Sequence, residues 1–212
     1  MQENRNIYIH NNDLPKDIYL TTNIVAIDTE TMGLNLKRDR LCLLQITDGK
    51  DIHLIHFTNQ EYNPKNLLKI LTNNEIVKIF HYARFDICAI ALYLKVMCYN
   101  VYCTKIASRL VRTYTNKHGL KDICSELLAV EISKEQQSSY WGTDLLTESQ
   151  KIYAAQDVYY LHDLKLELDK MLFKENRTNI AKACFDFLPV KAHLDIIGFE
   201  EEDIFSHSAK QK

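Results

Sequence analysis

Ile24-Val-Ala-Ile-Asp28-Thr-Glu30-Thr-Met-Gly33-Leu34 is the stretch that decides the reading of this chain. Four apolar residues run straight into two carboxylates, and a glycine follows three positions after the second. A continuous apolar run rich in β-branched residues reads as a strand buried on both faces. Asp28 and Glu30 are expected where that strand ends, and their spacing of two sends both side chains to one side. Two unit charges ~4 Å apart repel by roughly 4 kcal/mol at an effective dielectric of about 20. A cation must offset that repulsion.

The 212 residues fit one domain with short appendages. We read an N-terminal extension over 1–20, a core over 21–190 and a polar tail over 191–212. With 46% hydrophobic and 25% charged residues, the composition is that of an ordinary globular protein. No apolar run approaches the roughly 18 residues that span a bilayer, and the first residues lack an apolar export signal. The expectation is a cytoplasmic protein with no membrane partner. Cys42, Cys88, Cys98, Cys103, Cys124 and Cys184 lie singly in apolar surroundings, which predicts buried, reduced thiols. A net charge of −2 argues against a general polyanion binder, so any nucleic-acid contact must come from local patches.

Along the chain, Ile7-Tyr-Ile9 predicts a short edge strand, with a turn over Asn11-Asn-Asp13. Residues 35–40, with Lys37, Arg38 and Arg40, read as an exposed loop. Leu41-Cys-Leu-Leu-Gln-Ile46 and Ile52-His-Leu-Ile-His-Phe57 flank the turn Thr47-Asp-Gly-Lys50 and predict a hairpin, hence an antiparallel start to the sheet. His53 and His56 are three apart on that strand and face opposite ways, which excludes them as a metal pair. Asn63-Pro64 predicts a capped helix start over Leu67, Leu68, Ile70 and Leu71. A short strand over 76–80, a helix over 83–94 and a strand ending near Val101 follow. Helices are predicted over 105–112, 119–128, 148–173 and 177–187. The order predicts an α/β domain, a mixed sheet flanked by helices.

Two further acids fall at informative places. Asp86, in His81-Tyr-Ala-Arg84-Phe-Asp86, lies in the first turn of a helix that follows a strand, at the edge where α/β sheets place ligands. Tyr153 and Asp157 are four apart on the 148–173 helix, so they share a face beside the apolar stripe 154, 158, 161, 164 and 168. Singly, each has an ordinary explanation: a helix-start aspartate partners the dipole, a tyrosine fills a core, an aspartate faces solvent. Jointly these explanations fail, because D-x-E on a buried strand, H-x-A-x-x-D and Y-x-x-x-D occur in this order on the predicted elements.

In these motifs the chain resembles the DEDDy-type 3′→5′ exonucleases of the ribonuclease D family, from about Ile24 to Leu168. It is most similar to their short nanoRNase C-like group. That likeness rests on residues 29–42, on His81-Tyr-Ala-Arg-Phe-Asp-Ile87, on residues 103–115, on His118-Gly-Leu-Lys-Asp122 and on Asp203-Ile-Phe-Ser-His207. The resemblance implies a ribonuclease H-like fold and 3′→5′ hydrolysis of short single-stranded RNA, dinucleotides included. It also implies a ring-shaped homo-oligomer, such as an octamer. Trimming of structured RNA 3′ ends, attack on single-stranded DNA and a catalytically silent nucleic-acid-binding scaffold are the alternatives.

By the same resemblance, two divalent ions, Mg²⁺ or Mn²⁺, are held by Asp28, Glu30, Asp86 and Asp157. Asp28 bridges both, Glu30 and Asp157 hold the one that activates water, and Asp86 supports the other. Carboxylate-only sites suit hard cations, and four carboxylates balance two such ions in formal charge. Tyr153 then orients the attacking water; with a reference pKa of about 10 it is a poor base at neutral pH.

Substrate contacts are expected from Met32, Gly33 and Leu34, an apolar wedge in which the glycine allows close backbone approach. Lys105, Arg109 and Arg112 make one basic helix face, with Lys117, His118 and Lys121 close behind. A solvated amphipathic helix and a phosphate-binding face fit that pattern equally. His81 and Arg84 flank Asp86 within reach of a phosphate, although His81 also reads as a satisfied core histidine. Two departures from the longer family members stand out. No helical nucleic-acid-binding module follows the core, which predicts a poor grip on long structured RNA. Tyr140 precedes Trp141 where relatives carry aspartate, a change that leaves the metal site untouched.

Overall fold

The computed structural model describes residues 5–18, 20–58, 61–133, 135–136 and 138–207. Of the two appendages read from the sequence, residues 1–4, 19 and 208–212 lie outside the described residues. Six strands form one mixed sheet: β1 (Ile7–Asn11), β2 (Ile24–Thr31), β3 (Leu41–Thr47), β4 (Ile52–His56), β5 (Val77–Phe80) and β6 (Val101–Cys103), in the order β1-β4-β3-β2-β5-β6. The predicted hairpin is present: β3 pairs with both β2 and β4 antiparallel, and Gly49 takes φ 97° in the turn. The remaining pairs are parallel. β1, inside the predicted N-terminal extension, is an edge strand of the sheet, paired with β4.

Seven helices follow among the described residues: α1 (Lys65–Leu71), α2 (Ala83–Tyr93), α3 (Thr104–Val111), α4 (Leu120–Leu128), α5 (Glu148–Tyr159), α6 (Leu161–Lys174) and α7 (Thr178–Ile196). Every residue of β3 is buried, as a strand covered on both faces requires. The stripe Ala154, Val158, Leu161, Leu164 and Leu168 is fully buried, as its spacing predicts. All six cysteines are free thiols, five of them buried and Cys184 partly so. No described helix is long and apolar enough to cross a membrane.

Three local readings need correction. The helix predicted over 148–173 breaks at Tyr160, the residue that ends α5 and precedes α6. There Arg5 stacks on the Tyr159 ring, 4.0 Å from its centroid, and donates to the Tyr159 carbonyl. The final helix does not stop at 187; it carries Pro189 in its interior and runs to Ile196. The start of α1 has no side-chain cap of its own. The Asp13 carboxylate instead accepts from the backbone N–H groups of Asn66 and Leu67, both at 3.0 Å, tying the N-terminal segment to α1. As predicted, the two histidines of β4 do not form a pair: His53 stacks with His10 at the outer edge while His56 is buried.

Candidate active site

β2 does not end at its acids. It continues to Thr31, with Asp28 opposite Gln45 and Glu30 opposite Leu43 on β3. On its other flank, pairing with β5 stops at Ala26, opposite Ile79. Beyond that point the sheet forks, and the acids of β2 lie along the open flank. The period-two geometry holds, and both side chains take the face that α5 covers.

α5 completes the cluster. Ala154 and Ala155 are buried against the sheet, and such small side chains let the helix backbone approach it closely. One carboxylate oxygen each from Asp28, Glu30 and Asp157 lie within 4.8 Å of one another, in a partly buried cleft. Tyr153, one turn earlier on the same helix, stands beside the Asp157 carboxyl and packs against Trp141, with ring centroids 6.1 Å apart.

Asp86 arrives from the other layer. After β5 ends at Phe80, Tyr82 takes the left-handed conformation (φ 67°) and turns the chain into α2. The buried Asp86 carboxylate then accepts a 2.7 Å hydrogen bond from Thr29, which lies between the two acids on the opposite face of β2. All four predicted acids and the tyrosine therefore gather at the fork, although Asp86 stands outside the tight trio.

The electrostatics show what the cluster lacks. Burial, followed by repulsion from Asp86, Asp157 and Glu30, holds the Asp28 carboxyl well above the usual carboxylate range. Burial, followed by Asp157 and Asp86, does the same to Glu30. Burial also pushes Asp86 and Asp157 up to about 7. No ion pair among the described residues brings a lysine or arginine to any of the four. Oxygen donors alone, converging and without a protein cation, are the donor set of a hard divalent metal, so the residues present fit such an ion. Burial and the three neighbouring acids push the Tyr153 hydroxyl up strongly, so it stays protonated at neutral pH.

The substrate-contact expectations divide. Met32 and Leu34 are exposed beside the fork, Leu34 at 87%. A Cβ on Gly33 would run into the Asp39 carboxylate, which accepts from the backbone N–H of Asn35 at 3.0 Å and from Arg38 at 2.6 Å. Lys105 and Arg109 remain on the surface of α3, with the Lys105 ammonium 4.2 Å from the centroid of the Tyr82 ring. His81 shares a 2.9 Å hydrogen bond with Thr104.

Arg112 does not belong to the predicted basic face. Its side chain is fully buried, bonded to Glu126 at 3.0 Å and to the Lys117 carbonyl at 2.6 Å. It sits just past the end of α3, where the chain has left the helical period that grouped it with Lys105 and Arg109. Arg84 is also engaged, in a forked ion pair with the buried Asp195 of α7 and a 2.9 Å bond to the Glu200 carbonyl. That pair lies in the wall of a groove of about 680 Å³ between the 34–37 loop, α2 and α7, with Tyr82 and Phe85 beside it.

Thr29, Asp39 and Asp195 escaped the sequence reading. Thr29 gives no signal until its partner Asp86 is known, and Asp195 lies 111 positions from Arg84. Asp39 could have been suspected from its place in a loop that closes on a glycine.

The sequence matches the family model DNA_pol_A_exo1, described as 3′-5′ exonuclease, over residues 7–173, and the chain belongs to that family. The solved structure of Brucella melitensis NrnC bound to pGG is 49% identical, covers 97% of this chain and 100% of that one, and superposes with a TM-score of 0.93. NrnC with bound Mg²⁺, also 49% identical over 96% of this chain and 100% of that one, gives 0.91. Ribonuclease D of Bartonella henselae is 30% identical over 158 residues, 74% of this chain and 39% of that protein. The chain thus spans about two fifths of the length of the curated ribonuclease D relatives it matches. Escherichia coli RNase D, 22% identical with a TM-score of 0.70 over 80% of this chain and 45% of that one, shares the fold. Within the exonuclease family this is an NrnC-like member of the ribonuclease D group, with the ribonuclease H-like mixed sheet.

Proposed function

We propose that this chain is a 3′→5′ exoribonuclease of the cytoplasm that hydrolyses short single-stranded RNA, dinucleotides included, to nucleoside 5′-monophosphates. The observation that carries the reading is the convergence of Asp28, Glu30 and Asp157 within 4.8 Å, with Tyr153 beside Asp157 on α5. The similarity to NrnC, solved with pGG, supports a short substrate.

Asp28, Glu30 and Asp157, with Asp86 beside them, would hold two Mg²⁺ or Mn²⁺ ions. Bound there, such ions lower the pKa of the attacking water and neutralise charge on the attacking and leaving oxygens. Tyr153, which stays protonated, orients that water rather than deprotonating it. Met32 and Leu34 offer an apolar edge for the terminal base, and Gly33 lets the loop that carries them close over the Asp39 carboxylate. Lys105, Arg109 and His81 line the approach for the phosphate. Arg84 and Arg112 work inside the chain instead, holding α2 and α3 in place.

A labelled dinucleotide and a long tailed RNA, each incubated with protein and Mg²⁺ or Mn²⁺, test the reading. Faster release from the dinucleotide is expected. Equal or faster attack on the long RNA, or on single-stranded DNA, would favour the wider alternatives. No mononucleotide release with either metal would favour a silent binding scaffold. Light scattering tests the proposed ring-shaped homo-oligomer, an octamer, and a monomer would count against it.

A further inference from the structure

Gln45 stands opposite Asp28 across the β2–β3 pair. Opposed residues of an antiparallel pair project from the same face with Cβ atoms about 4.5–5.5 Å apart. That face lies under α5, and Gln45 is fully buried there. Neither its amide nitrogen nor its amide oxygen has a hydrogen-bond partner. Its neighbours along the strand, Leu41, Cys42, Leu43, Leu44 and Ile46, are all buried and apolar. An unpaired buried amide opposes folding, and an apolar side chain of the same shape would fill the space without that cost. Asp28 has the complementary deficit, a partly buried carboxylate with three acids nearby and no cation.

We propose that Gln45 is a positioning residue for Asp28. Its amide N–H, unpaired in this structure, would hold the Asp28 carboxylate in the orientation that, with Glu30 and Asp157, accepts a divalent ion. An amide is suited to this role, because a lysine or arginine would compete with the metal for the carboxylate and another acid would add to the repulsion. Groups of this kind behind a metal ligand fix its geometry, and losing one weakens metal affinity by about 10- to 100-fold. The proposal rests on the metal-site reading above.

The test is Gln45→Met, the apolar side chain closest to glutamine in shape, with Gln45→Leu as a second variant. Mn²⁺ binding is measured by calorimetry on the full chain, and thermal unfolding is followed in chelator. The expected result is Mn²⁺ affinity weakened by about tenfold or more, with the unfolding temperature in chelator unchanged or raised. Unchanged affinity would overturn the proposal. So would affinity lost together with a lowered unfolding temperature in chelator, which marks a packing role. If the unaltered protein bound no Mn²⁺, the metal-site reading itself would fall.

Discussion

Thr29 donates its hydroxyl to Oδ1 of Asp86 at 2.7 Å, joining β2 to α2 across 57 positions of sequence. The bond crosses the open flank of β2, where strand pairing with β5 has already stopped. Thr29→Val keeps the shape and removes the donor. We expect kcat/KM to fall by about tenfold or more, as when a group that orients a metal ligand is lost. Thermal unfolding should also shift downward, because a hydrogen bond to a charged group contributes roughly 1.5–3 kcal/mol to the fold. Steady-state kinetics on a dinucleotide beside a melting curve check this.

Asp28 is the most crowded acid of the site. Asp28→Ala should abolish hydrolysis and leave the fold intact. In chelator the variant should melt at or above the temperature of the unaltered protein, since a buried repelling charge has gone. Retained hydrolysis would remove Asp28 from the metal site.

The raised carboxyls make stability depend on pH. Asp86 and Asp157 titrate at about 7 in the folded chain, against 3.8 for a free aspartate. Between those values the folded state binds more protons than the unfolded one, so stability falls as pH rises through that window. Melting temperatures of the metal-free protein should therefore decline from pH 5 to pH 8. Added Mg²⁺ should stabilise more at pH 8, where the carboxylates are ionised, than at pH 5.

Tyr153 stays protonated, so its contribution is the placement of water. Tyr153→Phe should lower kcat by about tenfold or more while KM moves less than about twofold, as for an interaction gained on the way to the transition state. A rate that still rises with pH in the variant would agree, because the metal-bound water and not the phenol then sets the pH dependence. An unchanged kcat would exclude Tyr153 from the mechanism.

Arg109 and Arg112 should separate cleanly. Arg112→Ala empties a buried position and leaves Glu126 with Tyr114 alone, which should cost about 1–3 kcal/mol in urea unfolding. Arg109→Ala should leave stability unchanged and raise KM, with a weaker salt dependence of RNA binding.

Much of this site was legible because its acids carry strong local signals. Asp28 and Glu30 close an apolar run, and Tyr153 and Asp157 share a face beside an unbroken buried stripe. Asp86 follows a short strand directly. The readings that failed depended on the chain turning away from local period. Arg112 has the spacing of Lys105 and Arg109, but α3 ends one residue before it. Arg84 flanks Asp86 in sequence, yet its charge is met by Asp195 on the last helix. The break at Tyr160 lies where Arg5, far away along the chain, meets the Tyr159 carbonyl. No local pattern announces a partner from the other end of the sequence.

The left-handed turn at Tyr82 gives the fork a consequence for how this chain tolerates change in length. Asp86 reaches Thr29 only because α2 starts three residues after β5 ends. One residue inserted between Phe80 and Ala83 would rotate Asp86 by about 100° around the helix axis and carry it off Thr29, while every rung of the sheet survived. Extra residues near Asn74, on the far side of β5, would disturb no acid. The gap between Phe80 and Ala83 should therefore be intolerant of insertions and deletions in a way that the loop before β5 is not.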